Sequence, residues 1–383
     1  MTTRVSINPK VLKWASDRSS KGLRELDERF PKLRQWLSGD EDPTLVQLEL
    51  FSKATSTPLG FLFLDAPPIE NLPIPNYRTL DDETVRAPSS ELLDTIYTME
   101  RRQAWMREYL VSEGREPVAI VNCATRNEAS VDVAARLREK LALDINWAAK
   151  HSTWTDALKE LRAAMGAAGV VVVVNGIVGN NTHRPLDVEE FRGFVLVDEY
   201  APLVFVNGAD AKSAQMFTLS HELAHIAFGS SAAFDLRQMQ PAKEPIEQAC
   251  NRVAAEFLVP EGLLKKAWNP KEHQSYEVVA KIFKVSPIVA ARRLLDLGLI
   301  SREEFFKFYQ NYITQEHKRA KPEESGGNFY ATAAQRVGAR FAVELIRALK
   351  EGRVLHTEAY RLAGMNGQTF DEFARRIRQG GIE

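Results

Sequence analysis

Two histidines in the middle of the chain have the spacing of metal ligands. The run from His221 to His225 reads His-Glu-x-x-His, and it lies within a helical pattern of apolar residues. On a helix, residues four apart project from one face, so both imidazoles can bind one tetrahedral zinc ion. Glu222, between them, can act as a general base on water at the open coordination position, where zinc lowers the pKa of water to about 7.

A second helical segment supplies a third ligand. It begins at Glu247, and Asn251 follows one helical turn later, where its amide oxygen can accept the outer N–H of a ligand histidine. The alternative is that His221 and His225 are ordinary core histidines and that Glu247 is a solvated glutamate at the start of its helix. In that case the burial of Glu222 among apolar neighbours would be costly and would serve no function. The sequence therefore predicts one zinc ion per chain, held by His221, His225 and Glu247.

These two segments resemble a known family. Phe217 to His225, together with Glu247 to Pro260, resembles the gluzincin-like ImmA/IrrE metallo-endopeptidases, whose second motif is E-x-x-x-N-x-x-A-A-x-x-L-x-P. Here that motif is filled by Glu247, Asn251, Ala254, Ala255, Leu258 and Pro260. The resemblance implies a zinc-dependent endopeptidase that cleaves a specific cellular protein, such as a repressor or a toxin–antitoxin component, and it extends upstream to a helical N-terminal domain.

The elements around these motifs predict an α+β, predominantly helical protein with a small zincin-like domain and a short sheet. Helices are expected over 89–113, 154–168 and 213–228, and strands over 118–121, 170–174, 193–197 and 203–206. Either of the last two strands could present an edge to an extended substrate. Helix then short sheet then helix is a suitable frame for a small enzyme domain.

Prolines, glycines and charged segments, which interrupt helices and form linkers, divide the chain into four parts. We expect a helix-turn-helix-like bundle over 1–65, a proline-rich linker and long helix over 66–115, the zinc metallopeptidase domain over 116–315, and a helical module over 325–383. The expected core of the first bundle comprises Val11, Leu12, Leu23, Leu26, Phe30, Leu33, Leu37, Leu45, Leu48, Phe51 and Leu59.

The N-terminal bundle resembles a repressor-type helix-turn-helix, with one departure. The segment between Leu26 and Trp36 is too short for both a turn and the first part of a recognition helix, and its basic residues face acidic ones. DNA binding by residues 1–65 is one hypothesis. The alternative is a degenerate bundle that contacts the catalytic domain or a partner, and partner binding is also the expectation for the C-terminal module.

Polar residues before the histidine helix are candidates for contacts with the substrate or its oxyanion. They are His183, Arg184, Arg192 and Tyr200. For each of them alone, a surface or packing role is the alternative.

The charge balance and the cysteine count indicate which classes of partner and which cellular compartment to expect. Fifty basic residues nearly balance 51 acidic ones, so no global field favours nucleic acid or an anionic membrane. Cys123 and Cys250 are too few for a disulfide framework, and Cys250 is expected to fill a small-residue position on a buried helix face. Without a secretion signal or membrane span in the sequence, the protein is expected to be soluble and cytoplasmic.

A rival hypothesis comes from another functional class. The chain could be a non-catalytic DNA- or toxin-binding regulator in which the zinc site is structural. Glu222 argues against this hypothesis, because a structural zinc site has no need of a carboxylate base beside an open coordination position.

Overall fold

The structure, a computed structural model, describes residues 4–19, 21–68, 88–230, 232–234, 245–269, 275–319 and 329–379. It is predominantly helical with two small sheets, which confirms the predicted α+β class. Of the helices described, none has the length and apolar character needed to cross a membrane.

The N-terminal part is a helical bundle with its own core. Its elements are α1 (Pro9–Asp17), α2 (Leu23–Arg29), α3 (Leu33–Ser38), α4 (Leu45–Ala54) and a 3-10 turn (Leu59–Phe63). Most of the predicted core is confirmed and Trp36 joins it, but Leu23 and Leu45 are 46% and 44% exposed, so their assignment to the core was wrong. Both lie at the first position of a short helix, where the apolar spacing does not determine which side faces inward.

Basic side chains around α3 are already engaged by acidic neighbours. Lys32 forms an ion pair with Glu41 at 2.6 Å, and Arg34 forms one with Asp27 at 2.8 Å. Arg4 also contacts Glu41. This pairing leaves little local positive charge for phosphate contacts.

The next helices lead into a mixed sheet. They are α5 (Ser90–Ser112), α6 (Ser130–Lys140), a 3-10 turn (Trp147–Lys150) and α7 (Trp154–Ala167). The sheet has the order β1 (Val171–Asn175), β5 (Leu203–Asn207), β4 (Gly193–Leu196) and β6 (Ala232–Phe234). β1 is parallel to β5, whereas β4 is antiparallel to both of its neighbours.

The expected helices over 89–113 and 154–168 and the strands from 170, 193 and 203 are thus confirmed, within a few residues. A separate hairpin of β2 (Ile177–Val178) and β3 (Asn181–Pro185) was not predicted. Neither β4 nor β5 is an edge strand, because β5 lies between β1 and β4, and β4 pairs with β6 over Gly193 to Val195. The expectation that one of them offers a free edge was wrong.

Alternate residues of the strands face two different helical layers, as expected for a sheet buried on both sides. Val174, Val195, Val204 and Val206 join one apolar core with α7, α8 (Lys212–Phe228) and α9 (Pro245–Leu258). Val171, Val173, Phe194, Leu196, Leu203 and Phe205 join another with α5 and the C-terminal helices. The histidine helix therefore lies on one face of the sheet only.

The C-terminal helices complete the opposite face. They are α14 (Phe329–Val337), α15 (Ala339–Lys350), α16 (His356–Ala363) and α17 (Gly367–Arg378). Gly338, between α14 and α15, has φ +90°, and a Cβ there would lie 3.1 Å from Val171 and 3.2 Å from Val173. The helical module at this end of the chain thus packs directly on β1.

Four further helices follow α9: α10 (Glu261–Ala267), α11 (Ser275–Phe283), α12 (Pro287–Asp296) and α13 (Arg302–Arg319). The predicted strand over 118–121 was wrong, because this segment forms turns. Its neighbours dock instead on the end of α8, where the N–H groups of Asn122 and Ala124 donate to the carbonyls of Ile226 and Ala227. The predicted linker residues from 69 onward lie outside the described residues.

Candidate active site

The histidine helix α8 is buried on all sides. Every residue from Gln215 to Ala227 is buried, and α8 packs against α7, α9, β4 and β5. The helix ends at Gly229, whose φ of +70° is the left-handed conformation that glycine adopts without strain. Burial on every side means that each polar side chain on this helix must find a partner inside the protein.

Three predicted ligands converge between α8 and α9. The Nε2 atoms of His221 and His225 lie 3.0 Å apart. The two carboxylate oxygens of Glu247 lie 3.1 Å from Nε2 of His221 and 3.0 Å from Nε2 of His225. Two donors at the usual 2.0–2.1 Å from a tetrahedral zinc ion are about 3.3 Å apart, so each of these three donor pairs is within a few tenths of an ångström of that separation.

Asn251 fixes the protonation of His221. Its Oδ1 lies 3.0 Å from Nδ1 of the imidazole, and a carbonyl oxygen can only accept a hydrogen bond. Nδ1 of His221 therefore carries the proton, and the lone pair on Nε2 faces His225 and Glu247. The side chain predicted to orient a ligand histidine is in the right place to do so.

Glu222 is fully buried and lacks hydrogen-bond partners. Neither of its carboxylate oxygens has one in the described structure, and Nδ1 of His225 is likewise unpaired. Burial raises the pKa of Glu222 well above its usual value, and the charge of Glu247 raises it further. A buried carboxyl with an elevated pKa and free oxygens is suited to accepting and returning a proton.

The two histidines dominate the charge state of Glu247. Burial alone would raise the pKa of its carboxyl, but the interactions with His221 and His225 outweigh that effect and lower it to about 2. Burial also lowers the pKa of His221, which favours the neutral imidazole. An ionised carboxylate and neutral imidazole are the forms that bind a metal cation.

Gly193, on β4, is a site residue that the sequence analysis did not single out. A Cβ at this position would lie 2.6 Å from Thr218 Cγ2, 2.8 Å from the carbonyl oxygen of Phe205 and 3.5 Å from Glu222 Oε1. Glycine is therefore required for α8 to approach β4 this closely. The signal in the sequence was an isolated glycine at the start of an apolar strand, which is typical of close approach by another backbone.

Of the four candidates for substrate or oxyanion contacts, three have other side-chain partners in the described structure and His183 is exposed. His183 is exposed on β3, and Arg184 forms ion pairs with Glu91 at 3.1 Å and with Asp94 at 2.7 Å. Arg192 pairs with Asp210 at 2.8 Å. Tyr200 packs on the core beneath the C-terminal helices, with Arg107 over its ring. Their role towards a substrate stays a prediction.

Cys250 is buried, as expected, and it also lies close to His221 and His225. Its Sγ and one ring nitrogen from each of His221 and His225 all lie within 4.8 Å of one another. The Glu247 carboxylate oxygens lie 3.1 and 3.0 Å from Nε2 of these histidines, and the Cys250 sulfur is a further candidate donor. Burial raises the pKa of the Cys250 thiol well above its usual value, with a further contribution from Glu247.

Two parts of the chain match family models. Residues 168–295, about one third of the chain, match Peptidase_M78, described as the IrrE N-terminal-like domain. Residues 337–376, which span α15, α16 and most of α17, match a domain of unknown function (DUF8813). A search of curated proteins found no match.

The first match supports the resemblance to the ImmA/IrrE family and indicates a metallopeptidase-like domain. It spans β1 to α12 almost completely and includes His221, Glu222, His225, Glu247 and Asn251. A peptidase domain in turn implies a protein substrate.

Proposed function

We propose that this chain is a zinc-dependent endopeptidase that hydrolyses a specific intracellular regulatory protein, a repressor or a toxin–antitoxin component. The observation that carries the proposal is the cluster of His221, His225 and Glu247 donor atoms, with contacts of 3.0–3.1 Å between the residues, beside the unpaired carboxylate of Glu222. The Peptidase_M78 match supports the peptidase class. The identity of the substrate rests on the family resemblance alone.

The proposed roles follow from the donor chemistry of each side chain. His221, His225 and Glu247 hold the metal, and Asn251 keeps His221 in the tautomer that binds it. A zinc ion held there supplies a Lewis acid that acidifies water and polarises a peptide carbonyl. Glu222 then accepts the proton of the attacking water and delivers it to the leaving amine, so the carboxyl ends the cycle in its starting state.

The surroundings of Glu247 and Glu222 favour different roles for the two glutamates, a metal ligand and an acid–base catalyst. Glu247 faces two histidine nitrogens and stays ionised, whereas Glu222 faces none and has a pKa raised by its surroundings. Two carboxyls with opposite pKa shifts in one site are typical of a ligand and an acid–base catalyst. The bundle of residues 1–65 and the C-terminal module are proposed to recognise the partner, in a reducing cytoplasm compatible with two free thiols.

The first test is the metal content of purified wild type, Glu247→Ala and, as a control, Glu261→Ala. Glu261 is a partly exposed glutamate on the following helix, where it pairs with Lys265. We expect about one zinc per chain in wild type and in the control, and little or none in Glu247→Ala. No metal in wild type, or unchanged metal in Glu247→Ala, would overturn the proposed site.

A second test separates the peptidase from the rival regulator. Cells that express wild type or Glu222→Gln at equal levels are compared for protein fragments with new termini. Fragments that form only with wild type support the endopeptidase and identify its substrate. Full cellular function of Glu222→Gln, together with promoter DNA or toxin binding by that full-length variant, would favour a non-catalytic regulator with a structural zinc site.

A further inference from the structure

The position of Cys250 on α9 directs its sulfur towards the same histidines as Glu247. The two residues are three apart on one helix, and Asn251, the next residue, already contacts His221. Residues three and four apart lie on one face of a helix. Cys250 is fully buried, and its Sγ lies within 4.8 Å of a ring nitrogen of both His221 and His225.

We propose that Cys250 is a fourth protein donor to the metal, which competes with water for the remaining coordination position. This inference rests on the metal site of the proposed function and adds a control on it. In the resting state the sulfur closes the site. When it moves away, the position opens to water or to a substrate carbonyl.

The required movement is small. In a tetrahedral site, a sulfur at about 2.3 Å and a nitrogen at about 2.0–2.1 Å from zinc are separated by roughly 3.5 Å. Since the Sγ–N distances are at most 4.8 Å, they exceed this separation by no more than about 1.3 Å. A cysteine side chain has one rotatable bond between its backbone and its sulfur, so a change in χ1 moves Sγ without moving the helix. Coordination releases the thiol proton to solvent.

A neighbouring side chain independently indicates that a group is missing at this position. The Glu222 carboxylate is buried and lacks hydrogen bonds in the described structure. By contrast, Cys123 is half-buried in a segment without regular secondary structure, and the sole metal-ligating cluster found among the described residues does not include it. The chain thus provides its own control cysteine.

Sulfur also changes which metal the site prefers. Thiolate is a soft ligand that favours zinc, whereas manganese prefers oxygen ligands. A site with two imidazoles and one carboxylate discriminates less strongly between these ions. With Cys250 as a donor, the preference for zinc over manganese should exceed that of Cys250→Ala by about tenfold or more, the scale on which even groups behind the ligands affect metal affinity.

The test uses cobalt(II) as a spectroscopic replacement for zinc in full-length wild type, Cys250→Ala and Cys123→Ala. A thiolate bound to cobalt gives a near-ultraviolet charge-transfer band that histidine and carboxylate do not give. We expect this band in wild type and in Cys123→Ala. In Cys250→Ala we expect it to be absent while about one equivalent of cobalt is still bound.

Each other result contradicts the proposal in a recognisable way. Cobalt bound to wild type without the band would remove Cys250 as a donor and leave the three-ligand site intact. The band retained in Cys250→Ala would assign the sulfur to another residue. No cobalt in wild type would overturn both this inference and the proposed metal site. The wild-type spectrum decides the point even if Cys250→Ala folds poorly, and Cys250→Ser serves as a second variant of nearly equal volume.

Discussion

Arg102 and Glu222 are ionisable side chains buried on opposite faces of the same sheet, and their surroundings differ completely. Arg102, on α5, is 3% exposed and its guanidinium donates to the carbonyls of Leu362 and Arg336, both at 2.9 Å. Glu222, on α8, is 0% exposed and its carboxylate accepts no hydrogen bond in the described structure. One buried group is satisfied by the protein and the other is left free.

This difference separates a structural group from a chemical one. Burial lowers the pKa of Arg102 to about 10, with a smaller effect of the neighbouring Arg101, so the side chain stays charged at neutral pH and joins α5 to the ends of α14 and α16. Burial raises the pKa of Glu222, which makes proton transfer near neutrality feasible. A buried polar group without partners is costly, so its persistence indicates a function outside folding.

The sharpest test of the comparison is Glu222→Gln. The amide keeps the shape of the side chain but cannot take a proton from water, so we expect peptide hydrolysis to fall by about 10²- to 10⁴-fold. Zinc content and unfolding temperature should be unchanged or higher, because no carboxylate is then buried without a partner. Steady-state kinetics and metal analysis measure both, with Glu261→Gln as control. A variant that keeps most of its activity would contradict the catalytic role.

Replacement of Arg102 by methionine tests the structural role of the buried guanidinium. It leaves the carbonyls at the ends of α14 and α16 without their donor, so we expect the free energy of unfolding to fall by about 3 kcal/mol or more. Chemical denaturation measures this loss. Arg101→Met, at the exposed neighbour, should stay within about 0.5 kcal/mol of wild type. If both variants were equally stable, Arg102 would not be the link between α5 and the C-terminal helices.

Gly193→Ala tests how tightly the strand next to Glu222 is packed. The added methyl group would collide with Thr218 and the carbonyl oxygen of Phe205, so we expect a loss of about 1–3 kcal/mol in stability and a displaced Glu222. Gly262→Ala, in α10, is the matched control, since nothing lies within 4 Å of its new Cβ. There we expect a gain of up to about 1 kcal/mol. Thermal unfolding of both variants distinguishes packing from helix propensity.

A partly exposed carboxylate, that of Glu372, should give the smallest effect. Hydrogen bonds from Arg375 and then Arg376 lower the pKa of Glu372, on α17, to about 2. A carboxyl with a depressed pKa in the folded state contributes stability above its unfolded pKa, and this is lost as the pH falls from about 4.5 towards 2. Glu372→Gln should therefore reduce the acid sensitivity of unfolding slightly. In an Arg375→Met, Arg376→Met background, the same substitution should have no such effect.

The residues that form the site were more predictable than the packing of the elements that hold them. A His-Glu-x-x-His run and a distant Glu-x-x-x-Asn pair specify donor atoms and helical faces, and His221, His225, Glu247 and Asn251 indeed converge. The helix and strands next to them followed from local apolar spacing. These features depend on residues close together in the sequence, so periodicity is sufficient to predict them.

What the sequence did not predict depends on contacts between distant segments. The apolar run at 118–121 has the composition of a strand but docks by turns against the end of α8. The proximity of Cys250 to His225 depends on how α8 and α9 cross, and the close approach at Gly193 depends on how α8 lies on β4. Spacing along one helix carries no information about the distance to another element.

The covering of β1 by the C-terminal helices also has a consequence for the order of events during synthesis. The strands β1, β4 and β5 are complete at Asn207, but their second apolar face is covered jointly by α5 and by residues 329–379, which are made last. At translation rates of about 5–20 residues per second, this gap lasts on the order of ten seconds or more. During that interval the nascent chain exposes a sheet face rich in phenylalanine and valine to chaperones. The sheet therefore reaches its final packing only after the last helices have been made.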